Sequence, residues 1–405
     1  MKEKVLERFL KYVKVDTEAE YGVLQYPSTK KQLDLAKILV DECKSLGLSN
    51  VESDEFGYVT ALLPSNIEKK VPTVSFIAHM DTSPDFSGKD VNPIIHENYD
   101  GADIILKNDN SILTKEFPFL KNYIGQTLIT ADGTTLLGAD DKAGVAEILT
   151  AVEYLINNPS IPHGDVKIAF TPDEEVGRGT DFFNVKKFDA DFGYTLDGGE
   201  IGEFEYENFN AARILINITG KSIHPGSSKN LMVNSVLIGN EILNKIPPNQ
   251  TPRDSEGYEG FYHVVNFNGT VAETKINIII RDFDKNNFAE RKQIIENIIN
   301  DLNLKYENRI ELIIKDEYFN MFEIIEKEER IISLAKKAYE EASVKVNILP
   351  VRGGTDGARL SFMGLPCPNI FTGGHNFHGP QELICVESMV KACEVVINIC
   401  KFNAE

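Results

Sequence analysis

The sequence predicts an α/β chain in which a largely parallel, mixed-sheet domain is interrupted by an inserted ferredoxin-like (βαββαβ) α+β domain. Three observations carry this. Through roughly the first 200 residues short β-branched runs alternate with amphipathic helical stretches, as in parallel strands joined through helices. From about Arg213 the order becomes strand, helix, strand, strand, helix, strand. Beyond that the α/β pattern resumes, so the outer domain is read as 1–211 plus 319–405 and the insert as 212–318. A length of 405 residues, 42% of them hydrophobic, is enough for two or three domains with their own cores.

In the outer domain, Val74-Ser-Phe-Ile-Ala78 reads as a strand leading into His79-Met-Asp81. Val166 to Phe170 leads into Thr171-Pro-Asp-Glu-Glu175, and Phe192 to Leu196 into Asp197-Gly-Gly199. Each strand thus ends in an acidic turn, and the carboxyl ends of strands in an open sheet are where ligand crevices form. Leu136 to Lys142 leads into a helix whose apolar face is Val145, Ile148, Leu149, Val152 and Leu155. In the insert, Ile214, Ile216 and Ile218 alternate as one strand face. Met232 to Ile246 reads as a helix stopped by Pro247-Pro248, and Phe261 to Asn268 as the next strand. Thr274 to Arg281 alternates again after Gly269, Phe288 to Leu302 has helical spacing, and Ile310 to Lys315 closes the series. Glu326 to Ala342 and Glu387 to Cys400 read as helices flanking a glycine-rich stretch from Gly353 to Gly379.

Charge narrows the function classes. With 42 Lys+Arg against 62 Asp+Glu the formal charge is −20, and no basic run offsets it. Such a field repels nucleic-acid phosphates and anionic lipid, so neither is an expected partner. No stretch reaches about 18 consecutive apolar residues, and the first residues alternate charged with apolar positions rather than forming a signal peptide. Five cysteines without CxxC spacing fit a reduced, cytoplasmic protein.

The residues able to do chemistry cluster at the strand ends. His79 lies two positions before Asp81, which in extended backbone directs both side chains to one side, with the carboxylate able to fix the imidazole tautomer. Glu174-Glu175 places two mutually repelling carboxylates together, a costly arrangement without a cation or proton. Asp140-Asp141, Asp197 and His378 complete the set. Each also has an ordinary reading: a hydrogen-bonded strand-end histidine, a solvated acidic turn, a helix N-cap, a glycine turn. Together they put two histidines and at least four carboxylates on one side of one domain, a donor set for two metal ions. Imidazole and carboxylate without thiolate suit Zn²⁺, with Mn²⁺ or Co²⁺ as possible substitutes, better than an oxygen-only Mg²⁺ site.

The blocks His79-Met-Asp-Thr-Ser-Pro-Asp85, Leu137-Gly-Ala-Asp-Asp-Lys-Ala-Gly144, Thr171-Pro-Asp-Glu-Glu-Val-Gly-Arg178, His224-Pro-Gly226 and Arg281-Asp-Phe-Asp284 occur in that order. They are followed by Arg352-Gly-Gly-Thr-Asp-Gly-Ala-Arg-Leu-Ser-Phe-Met-Gly-Leu-Pro-Cys-Pro368 and Asn369-Ile-Phe-Thr-Gly-Gly374. Over essentially its whole length the chain resembles the dizinc aminopeptidase and carboxypeptidase superfamily, and the last block narrows the resemblance to its tripeptide aminopeptidases. The resemblance implies that His79 and Asp197 bind one zinc, that His378 and Glu175 bind the other, and that Asp140 bridges them. It makes Asp81 the partner of His79 and Glu174 the general base acting on a two-zinc-activated water. The family's Asp-x-Lys-x-Gly pattern selects Asp140 over Asp141. His375 stands where tyrosine is expected in Gly-Gly-x-Asn-x-His-Gly. The resemblance also implies a homodimer formed through the inserted domain, with His224 a candidate oxyanion donor reaching the partner subunit. A loop histidine beside Pro225 is the other reading of His224. Arg281, Arg352 and Asn230 are candidates for gripping the substrate carboxylate or backbone. The implied reaction is release of the N-terminal residue of tripeptides. A dipeptidase or N-acyl-amino-acid hydrolase on the same scaffold is the alternative, and a catalytically silent binding module is disfavoured by the intact Glu174-Glu175 pair.

Overall fold

A computed structural model describes residues 1–405 and divides them into two compact units, Met1–Tyr206 with Met321–Leu349 and Thr355–Glu405, and Glu207–Asn320 with Pro350–Gly354. In chain order the first unit has helices α1 (Lys2–Tyr12) and α2 (Gln32–Ser45), then strands β1 (Ser49–Ser53), β2 (Val59–Leu63) and β3 (Val74–His79). Helix α3 (Ala139–Asn157) and strands β4 (Val166–Thr171), β5 (Phe192–Gly198) and β6 (Glu203–Glu205) follow. The second unit has β7 (Asn210–Thr219), α4 (Ser235–Leu243), β8 (Phe261–Gly269), β9 (Glu273–Asp282), α5 (Lys285–Lys305) and β10 (Ile310–Tyr318). The chain returns through α6 (Glu329–Glu341), β11 (Asn347–Ile348), α7 (Asp356–Phe362), β12 (Asn369–Phe371) and α8 (Val386–Asn403).

The main sheet has eight strands in the order β1-β2-β4-β3-β5-β12-β6-β11. At its centre β4, β3, β5 and β12 are mutually parallel, with His79 opposite Thr171 and Val74 opposite both Val166 and Phe192. Every residue of β3 is buried, as expected of a central parallel strand covered on both faces. One face packs on α1, α3, α6 and α8 through side chains such as Phe76, Tyr194, Leu149 and Val396; the other packs on Phe183, Phe188, Leu360 and Leu365. Parallel register brings the ends of β3, β4 and β5 to one edge, so the polar turns after them converge without needing to be neighbours in sequence.

In the second unit the antiparallel order is β8-β9-β7-β10, with α4 and α5 packed on one face through Ile214, Ile216, Ile276, Ile278, Ile295 and Ile299. This is the predicted ferredoxin-like arrangement. Its limits lie slightly outside the 212–318 of the sequence reading, and it takes in a return segment, 350–354. The physical reasons are local: Asn208 and Asn210 bond to Asn320 where the chain enters and leaves, and the Arg352 guanidinium donates to the Ser255 hydroxyl at 3.0 Å and to the carbonyls of Ser255 and Gly257. The helix expected from Met232 begins at Ser235, because the Asn234 side chain caps it by accepting from Val236 N–H.

All five cysteines are buried and unpaired, and no helix is long and apolar enough to cross a membrane. Helix α3 also carries Glu147 into the core, fully buried, with neither carboxylate oxygen hydrogen-bonded. The adjacent Cys393 thiol donates to the Glu147 carbonyl, not to its carboxylate. Burial pushes the Glu147 carboxyl well above its ordinary 4.5, so the folded chain keeps a proton that the unfolded chain releases once pH passes that value. Stability attributable to this group is therefore intact below the unfolded pKa and is lost as pH rises toward the folded one, at about 1.4 kcal/mol per pH unit. Glu147→Gln, neutral throughout, should gain stability over the parent at about pH 8 relative to about pH 5 in urea unfolding; an equal difference at both would contradict this account.

Candidate metal centre

Five segments meet at the carboxyl edge of the main sheet. Strand β3 ends in His79, β5 carries Asp197, the start of α3 carries Asp140 and Asp141, the turn after β4 carries Glu174 and Glu175, and the loop before α8 carries His378. His79 Nε2 lies 2.8 Å from Asp140 Oδ1 and 3.5 Å from Asp197 Oδ1. His378 Nε2 lies 3.0 Å from Glu175 Oε2 and 3.2 Å from Asp140 Oδ2. The two oxygens of Asp140 are thus aimed at two different imidazoles.

Asp141 faces elsewhere: Oδ2 accepts from His79 N–H at 3.0 Å and Oδ1 from Gly144 N–H at 3.2 Å. Two donor sets have all their atoms within 4.8 Å of one another, His79 with Asp141 and Asp197, and His79 with Asp140 and Glu175. Because both Asp141 oxygens already accept backbone N–H groups, its carboxylate braces the end of β3 against the first turn of α3. Asp81 does comparable work on the other side. It is fully buried, its Oδ1 lies 3.4 Å from His79 Nδ1, and its oxygens accept from Glu174 N–H at 3.0 Å and Glu175 N–H at 3.1 Å. His79 Nδ1 also lies 3.1 Å from the Asp81 carbonyl oxygen, so this one residue orients the imidazole and the double-glutamate turn together.

The electrostatics record an excess of buried negative charge. Burial, reinforced by Asp197, pushes Glu174 well above the usual carboxylate range; burial and Asp140 push Glu175 up to about 8. Burial also raises Asp197 and Asp141, and Asp356 to about 7. Asp140 goes the other way: burial would raise it, but its contacts with His378 and His79 hold it well below the ordinary range. His378 is pushed up to about 11 by its bonds to Asp140 and Glu175, and His79 is raised because Asp197, Asp140 and Asp81 outweigh its burial. Such a cluster is the electrostatic complement of divalent cations. The residues fit that group: Glu175 Oε1 is buried without a hydrogen-bond partner, and the donors converging on it are imidazole and carboxylate.

His375 stands apart from this cluster. Its ring stacks on Phe119 at a centroid distance of 4.0 Å, its Nε2 shares a 2.6 Å hydrogen bond with the Tyr123 hydroxyl, and burial pushes it down to about 4. It is a neutral aromatic packing element, consistent with a position where tyrosine was expected. His224, Asn230, Arg281 and Arg352 belong to the second unit. There His224 is exposed, with Nδ1 accepting from Gly226 N–H at 3.2 Å, and Asn230 is exposed with φ of 60°. Arg281 lies 3.4 Å from Glu317 and over the Tyr318 ring, while Arg352 lies over the Phe209 ring.

Three supporting groups escape sequence reasoning. Asp173, with φ of 59°, accepts from Ser28 N–H, the Ser28 hydroxyl and Gln32 Nε2, which pins the turn bearing Glu174. Buried Asp356 accepts from the Thr171 hydroxyl at 2.8 Å, at the end of β4. Buried Glu382 accepts from the N–H groups of Leu137, Gly138, Ala139 and Asp140; burial pushes its carboxyl up to about 7 while those donors pull it down. Among 62 acidic residues none of these had a distinguishing pattern.

Residues 133–401 match the family model described as peptidase family M20/M25/M40. The chain is 60% identical over 399 residues to peptidase T of Caldanaerobacter subterraneus subsp. tengcongensis, covering 98% of each. It is 55% identical over 406 residues to peptidase T of Clostridium acetobutylicum, covering 100% of each. Among solved structures it resembles aminopeptidase PepT from Bacillus cereus, with a TM-score of 0.79 at 23% identity, covering 100% of this chain and 99% of that one. A tripeptidase from Staphylococcus aureus gives 0.78 at 22% identity, with coverage of 100% and 99%. A dinuclear metal-binding peptidase of the M20 family from Bacillus subtilis gives 0.68 at 11% identity, with coverage of 100% and 98%.

Packing at the site yields a direct test. A Cβ on Gly144 would lie 2.1 Å from Leu196 O and 2.6 Å from Asp141 Oδ1, both held in place by buried backbone. Gly144→Ala is expected to cost about 1–3 kcal/mol in denaturant unfolding and to weaken metal uptake, because α3 must back away from β5 where Asp197 sits. Parent-like stability and metal stoichiometry would show that this approach is not a constraint.

Proposed function

The chain belongs to peptidase family M20/M25/M40, and from that membership we propose that it is a dinuclear-metal aminopeptidase releasing the N-terminal residue of tripeptides. The observation that supports the two-ion reading most directly is Asp140, whose two carboxylate oxygens face His79 and His378 separately. In this reading His79 and Asp197 hold one ion, His378 and Glu175 hold the other, and Asp140 bridges. Zinc is the proposed ion, with Mn²⁺ or Co²⁺ able to substitute.

Two divalent ions, when bound, supply Lewis acidity at the scissile carbonyl and cancel the excess negative charge of the cluster. Glu174, its N–H fixed by Asp81, is then ionised, takes a proton from the attacking water and delivers it to the departing amine. Asp81 keeps the His79 ring in register with Glu174 throughout, since it touches both. Arg281, Arg352 and Asn230 are assigned to the substrate's far carboxylate and backbone. We read the chain as a homodimer through the second unit, where β8 is an edge strand exposing Val264, Val265 and Phe267, and exposed His224 as the oxyanion donor offered to the partner subunit. Five free thiols and the absence of a membrane-spanning helix accord with a cytoplasmic location.

Metal-loaded protein assayed on tripeptides, dipeptides, tetrapeptides and N-acylated amino acids should release N-terminal residues from tripeptides; preference for dipeptides or acylated substrates would favour the alternative activities. Glu174→Gln should retain two ions while losing about 10²–10⁴-fold in kcat. Loss of metal in that variant would exchange the roles of Glu174 and Glu175. Asp140→Ala should lose both metal occupancy and activity, and full activity there would refute bridging.

A further inference from the structure

Glu382 lies four residues beyond His378, in the same loop. Its side chain crosses to the start of α3, where Oε2 accepts from Leu137 N–H at 2.7 Å and Gly138 N–H at 2.9 Å. Oε1 accepts from Ala139 N–H at 2.7 Å and Asp140 N–H at 3.1 Å. Four consecutive amides pointing at one anion form a cradle, made possible by the left-handed φ of 79° at Gly138. The group is only 1% exposed, so without it those four N–H groups would lose their acceptor away from solvent. The contacts close a ring: from His378 along the backbone to Glu382, across to Asp140 N–H, through the Asp140 side chain, and back to His378 Nε2 at 3.2 Å.

We propose that Glu382 is a positioning residue that sets the Asp140 carboxylate in register with His378, so that the second ion of the pair can be held. This rests on the dinuclear reading of the site above. A carboxylate is required at this length. Glutamine presents a single oxygen to four donors and turns an NH₂ toward two of them, while aspartate keeps both oxygens but falls one methylene short of the cradle. A group that only stabilised the fold would lower the melting temperature with and without metal alike. Glu382 should instead be felt mainly in metal affinity.

The test compares full-length parent, Glu382→Gln and Glu382→Asp by Co²⁺ titration, read by bound stoichiometry and visible absorption, by kcat and KM on a tripeptide, and by melting in EDTA. In Glu382→Gln the weaker Co²⁺ affinity should fall about 10–100-fold, with kcat falling in parallel and recovering in excess Co²⁺. KM should stay near the parental value, the EDTA melting temperature should fall because some of the four N–H groups lose their acceptor, the fall should be larger with metal bound, and Glu382→Asp should fall between. Two ions bound at parental affinity with parental kcat would overturn the assignment, as would an equal loss of melting temperature with and without metal. If Glu382→Gln does not fold, Glu382→Asp is judged on the same readouts. A parent chain that takes up fewer than two Co²⁺ would overturn the dinuclear reading itself, and this inference with it.

Discussion

Like charges brought together away from water repel, and the first unit is organised around holding several of them in one crevice. Asp140, Glu174, Glu175 and Asp197 approach one another within reach of only two imidazoles, His79 and His378. Burial raises most of these carboxyls, while Asp140, lying between the two rings, is held ionised. An arrangement this costly persists because the surrounding scaffold leaves it no freedom to relax. The same cost is what divalent cations relieve.

The scaffold's means are a parallel sheet and backbone amides. Parallel strands deliver His79, Thr171 and Asp197 to one edge on backbones locked by ladders on both sides. A second group of acids never faces the crevice. Asp81 accepts from Glu174 and Glu175 N–H, Asp141 from His79 and Gly144 N–H, Asp173 from Ser28 N–H, and Glu382 from four amides at the start of α3. Each ties a loop bearing a site residue to another loop or strand, so the acidity of this chain has two structural uses. Some carboxylates supply charge to the site, and others accept N–H groups that fix where that charge sits.

The second unit is built by a different rule. Its sheet is antiparallel, with isoleucines facing α4 and α5 on one side, and its polar residues are engaged within it: Arg281 with Glu317, Arg352 with Ser255, Asp282 with Arg291. This explains why its motifs were harder to interpret from sequence. An arginine in a strand has the same local pattern whether or not another strand of the sheet brings a carboxylate within reach of it.

Much of the fold was legible because it is written in local periodicity. The mostly apolar run of β3, the alternation of Ile214, Ile216 and Ile218, and the apolar face of α3 each reflect a burial pattern that an element imposes on its own residues. Strand-end positions of His79, Glu174, Glu175 and Asp197 followed from those runs, and with His378 they named the chemistry. What periodicity does not encode is the partner of a given acid. Asp140 and Asp141 are adjacent and chemically identical, yet one faces two histidines and the other two backbone amides. Glu382 meets Asp140 across 242 positions of sequence. By itself the sequence determined the elements, their order and the residue types at the strand ends. Only the tertiary structure decided which carboxylate points into the crevice and which braces it, because the direction of a short acidic side chain is set by donors that folding brings from distant segments.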